Sequence, residues 1–132
     1  MRGFKLHTLD HASVLPIEEH PCSAIQPQVG MAMVLSGGQL VKATGTTKPT
    51  YICVTQRPAA VTAGELIQVT PCTADAVYET EFAAAATSIK PGSKVTIHTD
   101  AMSVTATTTD GIAEVVAMDG TAAGSTCRVR FR

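Results

Sequence analysis

Short segments rich in Val, Thr and Ile, separated by glycine turns, restrict the fold of this chain more than any other feature. Residues 38–54 read as a strand, a Thr-rich turn and a second strand, and residues 101–116 repeat the pattern around an Asp-Gly turn. β-Branched side chains favour strands, and glycine supplies the positive φ of tight hairpins. Because turns recur about every eight to twelve residues, the sequence predicts an all-β protein, a small β-barrel or sandwich.

Composition narrows the class of protein further. The chain has 132 residues, of which 45% are hydrophobic, and this suffices for one domain with its own core. A net charge of −1 argues against a general nucleic-acid-binding surface. No apolar run approaches the roughly 18 to 20 residues of a membrane span, and the first residues lack the apolar core of a secretory signal. We therefore expect synthesis in a cytoplasm, with the cysteines as free thiols.

The two halves of the chain align with each other. Gly30 falls on Gly92, Leu35 on Ile97 and Val69 on Val129. The alignment predicts pseudo-repeats at about 29–71 and 91–132, joined by 72–90. A unit of about 40 residues cannot cover its own apolar face, whereas two units can close against each other. The alternative is that glycine turns between Val and Thr strands resemble one another through composition alone.

The first 28 residues differ from the rest, with three of the four His and three of the seven Pro. Proline favours extended backbone, so we predict an extended N-terminal arm (1–28) beside a β-domain (29–132) that folds without it. The alternative is a disordered tail. We expect the arm to pack on its own barrel or on a partner, because it carries several apolar residues: Phe4, Leu6, Leu9, Val14, Leu15 and Ile17.

Two groups of residues are candidates for metal or thiol chemistry. His7, His11, His20 and Cys22 could be taken as a metal cluster, but their spacing is looser than that of zinc sites, so we predict no metal. No two cysteines form a CxxC motif, and buried cysteine behaves as a small hydrophobe. We predict core thiols, with a disulfide or a nucleophile as alternatives, for the four cysteines: Cys22, Cys53, Cys72 and Cys127.

Two later segments carry charged or alternating patterns. Glu79 and Glu81 share one face of a predicted strand, opposite Tyr78 and Phe82, and we expect this face to meet water. General acid–base catalysis would require burial or a neighbour that separates the two pKa values.

A further strand is predicted through Met102 and Val104, after a turn near Asp100.

The last strand carries three arginines on one face. Arg128, Arg130 and Arg132 alternate with apolar residues. One interpretation is a solvated face that protects an edge strand. Alternatively, the stripe meets an acidic protein surface. Nucleic acid is disfavoured because no stacking aromatic residues lie between the arginines.

Residues 29–132 resemble the small β-rich capsid decoration proteins of tailed bacteriophages. The shared features are a glycine-led strand, the "GGQLVKATG" hairpin, the "AGELIQV" strand and a C-terminal "VRF" strand. The resemblance implies a non-enzymatic virion protein, made in the bacterial host cytoplasm, that binds the outer capsid surface and bridges capsomers. Its implied partners are the major capsid protein and further copies of itself, with a trimer favoured, and it implies no cofactor, small-molecule substrate, nucleic acid or membrane.

The candidate capsid contacts are the apolar residues of the arm and the C-terminal arginines: Phe4, Leu6, Leu9, Leu15, Arg128, Arg130 and Arg132. A tail component and a receptor- or glycan-binding β-barrel are the alternatives. No GxSxG motif or nucleophile–base pair is present to favour an enzyme.

Overall fold

The computed structural model describes residues 2–9 and 16–132, and within these residues every regular element is a β-strand. The strands are β1 (Lys5–Thr8), β2 (Glu18–Cys22), β3 (Ala32–Ser36), β4 (Gln39–Lys42), β5 (Tyr51–Cys53), β6 (Glu65–Pro71), β7 (Val77–Glu81), β8 (Lys94–Val95), β9 (Ala113–Met118) and β10 (Thr126–Phe131). The predicted all-β class is confirmed.

The strands form two sheets. One is a five-stranded sheet in the order β1-β7-β10-β9-β8, and the other is a closed barrel in the order β2-β4-β3-β5-β6. β2 closes the barrel by pairing antiparallel with β6 over five residues and parallel with β4 through Cys22 and Leu40. The fold is therefore a small barrel beside a second sheet.

The N-terminal segment is part of both sheets. It supplies β1 to the edge of the five-stranded sheet and β2 to the barrel. Cys22 on β2 is fully buried and Phe4, just before β1, is 2% exposed. β2 is thus one of the five strands of the closed barrel, so residues 18–22 share this barrel with strands from residues 29–132.

The two halves share one connectivity. In the first half, the first strand, β2, pairs with the last strand, β6, and the order continues as β2-β6-β5-β3. In the second half, β7 pairs with the last strand, β10, and the order continues in the same way as β7-β10-β9-β8. Opposite Val69 lie Glu18 on β2 and Cys53 on β5, and opposite Val129 lie Tyr78 on β7 and Val115 on β9. β7, which the sequence places in the joining segment, is thus the first strand of the second half.

Backbone hydrogen bonds outside the strands repeat in the same way. The Gly30 N–H donates to the Cys53 carbonyl at 2.9 Å, and the Gly92 N–H donates to the Val115 carbonyl at 2.7 Å. In the second half single bridges replace β4: Val104 pairs with Ile97 and with Phe82, as Leu40 pairs with Leu35 and with Cys22. Both halves therefore have the same order of strand pairing. They differ because the segment equivalent to β4 forms only single bridges in the second half.

The core is one connected cluster of buried side chains that both halves share. Cys127, Val129 and Phe131 point into it from β10, as their alternation predicts. Tyr78 points inward from β7, while Glu79 and Glu81 stay half-exposed on its other face, again as predicted.

The predicted strand through Met102 and Val104 is wrong. Ala101 has a φ of 59°, and Val104 forms isolated bridges only. The Asp100 carboxylate accepts hydrogen bonds from the Met102 N–H at 2.9 Å and from the Ser103 hydroxyl at 3.1 Å. Such local side-chain bonds offer the backbone an alternative to a ladder, so residues 100–103 bend where the first half continues as a hairpin.

Candidate interaction surfaces

The C-terminal arginines lie on the outer face of the five-stranded sheet, where two of them meet carboxylates. The Arg130 guanidinium donates to Glu114 at 2.7 Å, and the Arg128 Nε lies 3.3 Å from a Glu79 carboxylate oxygen. The hydrogen bond from Arg130 lowers the pKa of Glu114. Much of the positive charge on this face is thereby balanced within the chain, and Arg132 remains exposed.

The apolar residues of the N-terminal segment have different environments. Phe4 is buried and packs edge-to-face on Phe131, with ring centroids 5.2 Å apart. Leu6 is 37% exposed and Leu9 is partly buried against the core. Leu15 lies outside the described residues. Phe4 thus contributes to the core of its own chain, and among the described candidates Leu6 is the apolar side chain most open to a partner.

A surface that we call the Val29 surface joins two depressions. Leu6 and Val29 line the first, and Val54, Gln56 and Leu66 lie in the second. The Gln56 side chain connects them by accepting a hydrogen bond from the Val29 N–H at 3.1 Å. Val29 is 53% exposed and Leu66 is 55% exposed. Exposed apolar groups clustered among polar ones are typical of protein-binding surfaces.

The sequence did not mark the Val29 surface. Leu66 and Ile67 are adjacent on β6, so one of them must face outward, and because Ile67 shares a face with Val69, the alternation favours Leu66. The barrel register settles it, because Ile67 is 1% exposed and Leu66 is on the opposite face. The available signal was the pair of adjacent apolar residues in a strand with one buried face.

Residues 2–4 form an N-terminal clasp that connects the halves. The Gly3 N–H donates to the Met102 carbonyl and the Phe4 N–H donates to the Gly30 carbonyl, each at 2.7 Å. Arg2 adds a 2.6 Å ion pair with Asp100. Although desolvation by burial raises the pKa of Asp100, hydrogen bonds from Met102, Arg2 and Ser103 produce a net lowering. The clasp therefore fixes the chain start to loops of both halves.

Glycine is required where the clasp meets the first half. Gly30 has a φ of 90°, and a Cβ built on it would lie 2.7 Å from the Gly3 Cα and 2.9 Å from the Phe4 nitrogen. A side chain at Gly30 would push the clasp away. Its counterpart Gly92 has a φ of 97° but nothing within 4 Å of the corresponding position.

The histidines and Cys22 of the N-terminal segment are not gathered into one site. His7 is exposed on β1, whereas His20 on β2 lies 2.9 Å from Glu18 and packs against the Tyr51 ring. Within residues 2–9 and 16–132 no group of three or more His, Cys, Asp or Glu residues could hold a metal ion. His11 lies outside the described residues.

All four cysteines are free thiols, as predicted, and burial raises the pKa of each. Desolvation raises the pKa of Cys72 to about 11 and that of Cys127 to about 12. The thiolate is the nucleophilic form of cysteine, so these residues are poorly suited to nucleophilic chemistry. Cys22, Cys53 and Cys127 are core residues, and Cys72 is half-buried.

The aromatic residues contribute little to the surface. Phe4, Tyr78, Phe82 and Phe131 are each at most 2% exposed, and Tyr51 is half-buried against His20. Glycan-binding sites commonly stack sugars on exposed aromatic rings. This distribution therefore leaves few exposed aromatic rings on which a glycan could stack, and it gives little support to a glycan-binding barrel.

Comparison with known proteins adds no assignment. No protein-family model matches the sequence, and no curated protein matches it. In the part of the chain that the structure describes, no helix is long and apolar enough to cross a membrane.

Proposed function

We propose that this protein is a structural component of a tailed-bacteriophage head, which binds the outer capsid surface and bridges neighbouring capsomers. The structural observation that supports this proposal is the Val29 surface, because it offers exposed apolar contacts beside the N-terminal clasp. The resemblance of residues 29–132 to capsid decoration proteins supplies the identity of the partner, the major capsid protein.

The way in which the halves are joined supports a bridging role. A protein that holds two bodies together transmits force only if its own parts do not move apart. One core runs through both halves, and the clasp hydrogen-bonds to Gly30 in the first half and Met102 in the second. We therefore expect the chain to act as one rigid unit on the capsid, with the virion as its final location.

The arrangement of chemical groups also favours binding over catalysis. The thiols have raised pKa values, and Glu79 is paired with Arg128, as Glu114 is with Arg130. A nucleophile needs an adjacent base, and a general acid needs a tuned pKa. Repeated weak contacts of many copies on a lattice can supply avidity without any deep pocket.

The proposal is tested by sedimenting the purified protein with expanded capsids of the parent phage that lack it. We expect co-sedimentation that saturates at a fixed number of copies per capsomer. A stoichiometry that matches three-fold positions would support the favoured trimer. If the protein stays at the top of the gradient, the capsid proposal fails, and a tail or ligand-binding role takes its place.

Two matched variants locate the contact. Leu66→Asp places a charge on the Val29 surface, and Val116→Asp places the same charge on β9, at a position 38% exposed. We expect Leu66→Asp to weaken capsid binding at least about tenfold, because a buried unpaired charge is costly at an interface. Val116→Asp should bind like the wild type. Equal binding by both variants would exclude the Val29 surface as the capsid contact.

A further inference from the structure

At its first residues, β2 has no strand paired to the edge opposite β6 among the described residues. β2 contacts β6 on one side, and on the other side it meets β4 only at Cys22. Residues 17–19 therefore lie beyond the reach of β4. Ile17, at 62% exposure, is the most exposed large hydrophobic residue that the structure describes.

The second half shows what a strand at this position looks like. Residues 17–19 correspond to 77–79 on β7, because Glu18 and Tyr78 lie opposite the equivalent residues Val69 and Val129. On β7 the corresponding edge is covered by β1, with Lys5 opposite Glu79 and Thr8 opposite Val77. The equivalent edge residues are similar in kind: Glu19 matches Glu79 and Ile17 matches Val77.

The backbone N–H and C=O groups at the start of β2 have the direction that pairing with a further strand requires. Successive residues of a strand turn their N–H and C=O groups to opposite neighbours. The Cys22 carbonyl accepts from Gly64, on the β6 side, while the Ser23 N–H donates to Leu40, on the β4 side. By this alternation Ile17 and Glu19 direct their N–H and C=O groups away from β6. Pro21 has the same parity, so its missing N–H costs the β6 ladder nothing.

We propose that residues 17–19 are a docking site for an extended, basic segment of a partner protein, which adds a strand to β2 as β1 adds to β7. Charge selects the occupant. Glu18 and Glu19 make the edge acidic, and at the equivalent place β1 presents Lys5 opposite a glutamate. The same charge disfavours two β2 edges meeting, because Glu18 and Glu19 of each copy would face each other. Strand addition supplies affinity through the main chain and specificity through alternate side chains.

The probe for this site is a synthetic peptide with the sequence of residues 2–9, RGFKLHTL, since its strand fits the equivalent edge. Added to the full chain, it should slow hydrogen exchange at the Glu19 amide and shift the NMR signals of Ile17 and Glu19. A peptide in which glutamate replaces the lysine should bind at least about tenfold more weakly. Glu19→Lys should reverse this preference between the two peptides.

Glu19→Pro provides a second variant, which removes the outward N–H together with the Glu19 carboxylate, and its melting temperature reports whether the barrel is intact. A folded Glu19→Pro protein that binds the peptide like the wild type would overturn the proposal. So would a peptide that does not bind, or one that displaces β1 and changes the signals of β7. Self-association of the chain that Glu19→Pro abolishes would also overturn it, by making a second copy the occupant. The measurement contains no capsid, so its outcome is independent of the capsid-binding test.

Discussion

At the scale of single residues, the same residue type has different roles according to what lies next to it. Gly30 and Gly92 have matching φ values and matching hydrogen bonds, yet only Gly30 is in contact with the N-terminal clasp. Arg128 and Arg130 form pairs with carboxylates that are distant in sequence, whereas Arg132 remains exposed.

Gly30 and Gly92 therefore allow a matched test of the clasp. Gly92→Ala should lower the free energy of unfolding by about 1–2 kcal/mol, the cost of a positive φ in a residue with a Cβ. Gly30→Ala should cost at least about 3 kcal/mol, because the same strain is joined by a backbone collision. Urea denaturation of both variants measures the difference. If both variants lost the same free energy of unfolding, the clasp would be able to move away from a side chain at residue 30 without a measurable cost.

A second residue-scale prediction concerns alkaline pH. Burial raises the pKa of Cys127 from 9.0 to about 12. Because the unfolded chain releases this proton first, its contribution to stability is complete below pH 9 and is lost as pH rises from 9 towards 12. Between pH 9 and 10.5 the free energy of unfolding of Cys127→Ala should fall less steeply than that of the wild type, by up to about 1.4 kcal/mol per pH unit.

Urea titrations across this range compare the slopes and not the absolute values. The slopes are the relevant quantity, since Cys127→Ala also leaves a small cavity that lowers stability at every pH. Parallel curves for the two proteins would show that Cys127 does not hold its proton more tightly in the folded state.

At the scale of elements, β1 is attached by the residue before it more than by its own side chains. All four residues of β1 are exposed. Phe4 packs on Phe131, which in turn contacts Tyr78 with ring centroids 5.7 Å apart. This aromatic group links β1 to β10 and β7, so the edge strand depends on one anchor.

Phe4→Ala should therefore destabilise the protein by about 3–5 kcal/mol, the usual cost of truncating a buried phenylalanine. Leu6→Ala, at a position 37% exposed, should cost roughly 1 kcal/mol. Thermal unfolding followed by circular dichroism compares the two variants. If Leu6→Ala were the more damaging change, β1 would be held by its outer residues, contrary to the packing described.

At the scale of the whole molecule, the duplicated connectivity makes one body. The buried residues form a single cluster, and the clasp bonds to both halves. Neither half has a core of its own that is separate from this cluster. We therefore expect neither half to be stable when the other half is unfolded.

The chain should therefore unfold in one cooperative transition. Native-state hydrogen exchange of the slowest amides in β6 and in β10 should report the same free energy of opening. Gly30→Ala should lower both values equally, although it lies in the first half. Two distinct values, or a loss confined to β6, would show that the halves open separately.

The strand class, the alternation on β7 and β10, and the correspondence of Gly30 with Gly92 could be predicted from the sequence alone. These follow from local preferences: β-branched residues, a period of two, and glycine where φ is positive. Predictions based on local pattern alone were less successful where a side chain competed with the ladder, as Asp100 does before Met102. There the pattern of a strand was present, but the hydrogen bonds went elsewhere.

The closure of the barrel by β2 and the burial of Phe4 could be read only from the tertiary structure, as could the lack, among the described residues, of a strand paired beyond Glu19. Each of these depends on which distant strand lies alongside and in what register, and a shift of one residue reverses every face. Pairings such as Glu18 with Val69 and Lys5 with Glu79 join segments about 50 and 70 residues apart. Such long-range register leaves little trace in the local pattern of either segment, because it is set by the packing of the whole core.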